Sequence, residues 1–149
     1  MTAAVTLAAL GNGPTFSAYA GATTSVTTAA STKVLFNTEE FDTANCFASS
    51  TFTPNVAGYY QINAAIIFNG GTTTGVYFIT LFKNGSEFKR GNQNAAATND
   101  TLATVGSIIY FNGTTDYLDV YAFQNSGSTK TVGLGSVITY VNGAMVRGA

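Results

Sequence analysis

Five Asn-Gly dipeptides divide this chain into short pieces, at Asn12-Gly13, Asn69-Gly70, Asn84-Gly85, Asn112-Gly113 and Asn142-Gly143. Asn-Gly supplies the positive φ angles that tight hairpin turns need. The apolar runs between these marks are short and rich in β-branched and aromatic residues. No window carries a helical period with caps, and the Ala-rich stretch at Asn94-Ala95-Ala96-Ala97 is too short to hold a helix. The pattern predicts an all-β sandwich or barrel. Strands are expected at 15–20, 33–37, 47–53, 58–68, 75–83, 101–111, 116–124 and 135–146. Polar small-residue stretches at 21–31 and 70–74 read as surface loops.

Two of these strands are apolar on both faces. In 75–82, Tyr77, Ile79 and Leu81 alternate with Val76, Phe78 and Phe82. In 116–123, Leu118, Val120 and Ala122 alternate with Tyr117, Asp119, Tyr121 and Phe123. A half-wet strand needs only one apolar face. With no helix available to cover the second face, another subunit is the economical cover.

Composition removes most chemistries. There is no His and a single Cys, so the usual general base, a disulfide framework and a thiolate zinc site all drop out. Six basic against seven acidic residues leave no basic footprint for nucleic acid. No run approaches the length of a membrane span, so membrane insertion is not expected. Only 9% of residues are charged, so solubility rests on Thr, Ser, Asn and Gln, or on coverage by partners. Residues 1–10 lack a basic start and are followed by Gly11-Asn12-Gly13-Pro14, which suits an arm better than a signal peptide.

No catalytic, cofactor-binding or metal site is expected. Cys46 beside Phe47 reads as a buried, inert thiol. Glu39-Glu40-Phe41-Asp42 reads as a solvated turn, with a hard-cation site helped by Asn37 and Asn45 as the minor alternative. Asp116 and Asp119 are an odd number of residues apart, so a strand puts them on opposite faces and they make a poor catalytic pair. Asp116 is expected to end a turn. Asp119, among aromatics, needs a cation, with Lys83, Arg90 and Arg147 as candidates. Lys83, Lys89 and Arg90 form a small basic group near one hairpin.

The order of several short motifs resembles the C1q/TNF-like jelly-roll family. They run from Phe16-Ser17-Ala18 and Val34-Leu35-Phe36 to Ala57-Gly58-Tyr59-Tyr60-Gln61-Ile62 and Leu81-Phe82-Lys83-Asn84-Gly85. Then come Ser107-Ile108-Ile109-Tyr110-Phe111-Asn112-Gly113, Asp116-Tyr117-Leu118-Asp119-Val120 and a closing Ile138–Val146. Thr114 and Thr115 lengthen a turn that is tighter in the family. The resemblance covers roughly residues 16 to 146 and implies a jelly roll of about ten strands that assembles as a homotrimer.

On that resemblance, the subunit contact is expected at Tyr59, Tyr77, Tyr117, Asp119, Tyr121 and Phe123, with Tyr77 equally suited to the subunit's own core. Phe52, Tyr60, Ile62, Leu81, Leu118 and Val120 fit the core. The low charge, the Thr/Asn/Ala-rich style and the short arm also resemble small bacteriophage virion proteins. The expected organisation is a docking arm at 1–15, with Val5, Leu7, Leu10 and Pro14 as its contacts, and a jelly-roll domain at 16–149. The expected role is a non-enzymatic homotrimeric knob, made in the host cytoplasm and displayed on the virion surface. Other virion proteins would hold the arm, and the knob would decorate and stabilise a capsid or attach to a host. The alternative is a soluble glycan-binding module using loops 70–74, 91–100 and 125–130, with a host-surface glycan as ligand.

Overall fold

The computed structural model describes residues 13–70, 74–95 and 99–149. Among these residues there is no helix and there are fourteen strands. In chain order they are β1 (Thr15–Tyr19), β2 (Ser25–Val26), β3 (Thr32–Lys33), β4 (Thr38–Asp42), β5 (Phe47–Ala48), β6 (Thr51–Phe52) and β7 (Gly58–Asn69). These are followed by β8 (Val76–Lys83), β9 (Ser86–Arg90), β10 (Asn94–Ala95), β11 (Thr101–Phe111), β12 (Leu118–Gln124), β13 (Lys130–Val132) and β14 (Tyr140–Gly148). All strand pairs are antiparallel and lie in two sheets.

The first sheet is built on β7, which has β11 on one side and β14, then β1, then β4 on the other. The second is built on the β8–β12 pair, with β9 and β10 along β8, and β3 and the β5–β6 hairpin along β12. Between the sheets lies an aromatic core. Phe16 stacks on Phe47 and Phe52, and Phe52, Tyr60 and Phe111 meet edge to face. The six residues read as core from the sequence are all buried.

The long strands fall where their alternation predicts them, and the exceptions have local causes. The 47–53 run breaks into the β5–β6 hairpin because Ser49 and Ser50 adopt left-handed φ angles of 51° and 60°. The 33–37 run keeps only its first residue in β3, after which Val34 and Phe36 turn their side chains into the core. Residues 135–139 form a turn, with Gly135 at a φ of 107°, so the last strand starts at Tyr140. Glu39-Glu40-Phe41-Asp42, read as a solvated turn, belongs to the edge strand β4, and its carboxylates suit an edge that must not pair with stray chains. Ser86–Arg90 is likewise an exposed strand, which alternation could not reveal.

The sandwich has two distinct poles. Near Gly58 lie Pro14, whose carbonyl accepts the Met145 N–H, and Ala149, whose N–H reaches the Ala57 carbonyl. Pro14, expected in the arm, is buried in the sandwich, and Thr15 already pairs with Ala144. Val5, Leu7 and Leu10 lie outside the described residues. At the opposite pole, Gly70 bonds Asp100, Val76 bonds Asn125 and Gly127 bonds Thr28.

Candidate functional site

The sandwich turns an apolar face outward on each side, and the two faces are built differently. On the second sheet, Phe78 stacks on Phe123 at 4.7 Å and Phe82 on Tyr121 at 4.1 Å. The Arg90 guanidinium lies 4.1 Å from the Phe78 ring centre and bonds Glu87 at 2.7 Å. Asp119 is buried beside these rings. It accepts from Lys33 and from the Thr51 hydroxyl, both at 2.7 Å. The cation is Lys33, which none of the candidates Lys83, Arg90 and Arg147 anticipated. The β3–β12 register sets Lys33 opposite Tyr121, two residues along β12 from Asp119, and sequence spacing carries no sign of that pairing. The aromatics and charges of this face are therefore largely satisfied within one chain.

On the first sheet the apolar residues are spread open. Ile108 is 58% exposed, Leu102 49%, Tyr59 43% and Tyr110 42%. Tyr59 and Tyr110 touch as a tilted pair near the pole where the termini meet. Strand register sets two straight rows across this face. One runs Ile108, Gln61, Ala144, Thr15, and the other Gly106, Asn63, Asn142, Ser17, Phe41. A depression of about 410 Å³ opens along these rows between β7 and β4, walled by Phe41, Gln61, Asn63, Asn142 and Ala144. Its floor is polar. Gln61 donates to Asn63, and Asn63 donates to Asn142. Phe41, half exposed, forms one rim.

The six residues expected at one subunit contact are thus divided. Tyr59 lies on the first-sheet face. Asp119, Tyr121 and Phe123 lie on the second-sheet face, on the far side of the sandwich. Tyr117 precedes β12 at a turn, where its backbone pairs with Asn84. Tyr77 is 1% exposed and packs edge to face on Phe68, so it belongs to the subunit's own core and has no surface to offer. Period-2 parity says which residues share a face of one strand. It does not say which face of the sandwich that is. Ile108, Tyr110 and Leu102 were missed because β11 alternates normally: its outward residues include Thr104 and Gly106, which make that face look ordinary.

The acidic groups have separate structural tasks. Glu40 accepts from Ser17, and Asp42 accepts from the backbone N–H of Ala44 and of Phe47. Glu39 is exposed. Burial, with Asp42 alongside, pushes the Cys46 thiol up to about 12, so it stays protonated and unreactive at neutral pH. Asp116 ends a turn, as its position suggests. It accepts from the Asn84 side chain, from Lys83 and from the Asn112 N–H, and these bonds hold its carboxyl below the usual range.

No family model and no curated protein sequence matches this chain. Solved structures do. The globular domain of a zebrafish complement 1qA protein superposes with a TM-score of 0.64 at 14% identity, covering 91% of this chain and 99% of that one. Murine APRIL gives 0.67 at 11% identity, covering 90% and 99%. The vertex protein P5 of PRD1 gives 0.62 at 19% identity, covering 89% and 96%. The fold is therefore the C1q/TNF-like jelly roll, and a virion vertex protein shares it.

Proposed function

We propose that this chain is a non-enzymatic structural protein of a virus particle, a homotrimeric knob held by its N-terminal arm. The observation that carries the reading is the open apolar face of the first sheet. Ile108, Leu102, Tyr59 and Tyr110 are four large apolar side chains on one face that their own chain leaves more than 40% exposed. The second-sheet aromatics, stacked on each other, are not left so exposed. The subunit contact is accordingly assigned to the first-sheet face, keeping Tyr59 and setting aside Tyr117, Tyr121 and Phe123.

The likeness to the PRD1 vertex protein supports a place on the virion surface. The poles support the orientation. Residue 13 and residue 149 leave the sandwich at one end, so arms from three copies would emerge together and gain from high effective concentration. The polar loops at the opposite end face outward, which suits decoration of a shell and also contact with a host glycan.

The test is to mix labelled protein with particles that lack it. The full chain should remain bound after gradient purification. A chain without residues 1–12 should keep its trimeric mass but fail to bind. Equal binding by the truncated chain would refute the arm, and no particle binding by either would refute the virion role.

A further inference from the structure

We infer that neighbouring copies join head to tail, with Lys89 on one edge of the sandwich paired with the Glu39–Glu40 edge of the next copy. This rests on the homotrimer reading and adds its direction, its register and its ion pair.

The two edges of the sandwich are unlike. At one edge β11 has β7 on one side only. On the other side, single groups reach it at its ends: Asn94 and Asn92 at Leu102 and Thr104, and Lys83 at the Tyr110 carbonyl. Between these, around Gly106 and Ile108, no strand follows among the described residues. Ile108, 58% exposed on the outer face of β11, serves as the ridge of this edge. The opposite edge carries β4, with Phe41 as the rim of the depression. A ridge on one edge and a groove near the other fit a heterologous contact, in which different patches of two copies meet.

The register says whether such a contact closes. Ile108 shares a row with Gln61, Ala144 and Thr15, so ridge and groove stand at the same height along the strands. A rotation about an axis parallel to the strands then brings the ridge of one copy to the groove of the next without a step along the axis. Contact without a step makes a ring and not a filament.

The charges agree with that arrangement. Lys89 pairs with Leu81 in the β8–β9 ladder, so it lies on the side of the second sheet that faces the first, beside the open edge of β11. Its height follows from Asn92, three residues on, which bonds Thr104. That puts Lys89 about three residues further toward the pole with the termini, near Ser107. Glu39 and Phe41 stand level with Val105 and Gly106 through the register of the first sheet. Among the described residues, neither Lys89 nor Glu39 has an opposite charge within 4.0 Å, and Lys89 meets only the Phe88 ring. The other cations near the ridge, Lys83 and Arg90, are already paired with Asp116 and Glu87. An unpaired cation beside the ridge and an unpaired acidic edge beside the groove, at nearly one height, are complementary across a head-to-tail junction.

Sedimentation of the full chain over a dilution series, at 0.05 M and 0.5 M salt, tests this. Lys89→Glu places like charges at every junction. It should raise the concentration at which the trimer dissociates by about ten-fold or more at low salt, and much less at high salt. Glu39→Lys with Glu40→Lys should do the same. The triple variant Lys89→Glu, Glu39→Lys, Glu40→Lys should return to within about three-fold of the wild type. All three positions are exposed, so the variants should fold, and circular dichroism would check this. A triple variant as weak as the single ones overturns the pairing. If Ile108→Asp still dissociates the trimer in that case, the homotrimer stands and only the junction is wrong. A wild type that is monomeric throughout overturns both.

Discussion

The two outward faces of this sandwich have similar residues and opposite needs. On the second sheet, Phe78, Phe82, Tyr121 and Phe123 pair off into two stacks, and Asp119 and Arg90 find Lys33 and Glu87 in their own chain. On the first, Ile108 and Leu102 stand apart, and the Tyr59–Tyr110 pair leaves both rings more than 40% exposed. The difference teaches that aromatic content does not by itself mark a contact surface. What marks it is apolar surface that the chain has not already covered with its own side chains.

The comparison breaks or sharpens under substitution. The largest effect is expected from Ile108→Asp, which puts a charge at the crown of the ridge. Trimer dissociation should rise by about 100-fold or more, read by light scattering as a fall to monomer mass. Tyr121→Asp should leave the mass unchanged, and the reverse result would return the contact to the second sheet. Lys33→Ala comes next. It leaves the Asp119 carboxylate buried with the Thr51 hydroxyl but without its cation. Stability should fall by about 1–3 kcal/mol, measured by chemical denaturation, with no loss of trimer. Phe123→Ala should be smaller, about 1 kcal/mol from the lost stacking and burial, again at constant mass.

Acid provides a further probe, at the turn that links the two sheets. The Asp116 carboxyl is held below its ordinary value by Asn84, Lys83 and Asn112. A depressed carboxyl pKa contributes stability that is full above the unfolded value, near about 4, and is lost as pH falls through the folded value. Asp116→Asn should therefore flatten the acid limb of the stability curve below about pH 4. An unchanged acid limb would show that this carboxylate has no part in it.

Much of the fold was legible because alternation and turn chemistry act locally. The long strands β7, β8, β11 and β12 and the core residues Phe52, Tyr60 and Leu118 follow from which side chains can reach the interior. The short strands were not legible. β4 is acidic and β9 is polar throughout, and both exist because a neighbouring strand holds them. The contact surface was half legible. Two-faced strands pointed to apolar surface on both sides of the sandwich, but parity could not say which side each residue lies on: Tyr59 falls on the first sheet, Asp119, Tyr121 and Phe123 on the second, and Tyr77 in the core. Tyr77 and Phe78 alternate in the same way in either case; only the stacking of Phe78 on Phe123, and the absence of such cover for Ile108, separates the faces.

By itself, then, the order of residues determined, among the described residues, an all-β chain with a dry centre and turns at Asn69-Gly70, Asn84-Gly85 and Asn112-Gly113, whereas Asn142-Gly143, also expected to turn, lies inside β14. These follow from short-range sterics and from the two-residue period of a strand. Tertiary structure alone decided that Lys33 neutralises Asp119, that Ile108 is level with Ala144, and that Tyr59 and Tyr121 look in opposite directions. Those are relations between strands far apart along the chain, and register between strands is set by packing and hydrogen bonding across the sheet, which no local pattern encodes.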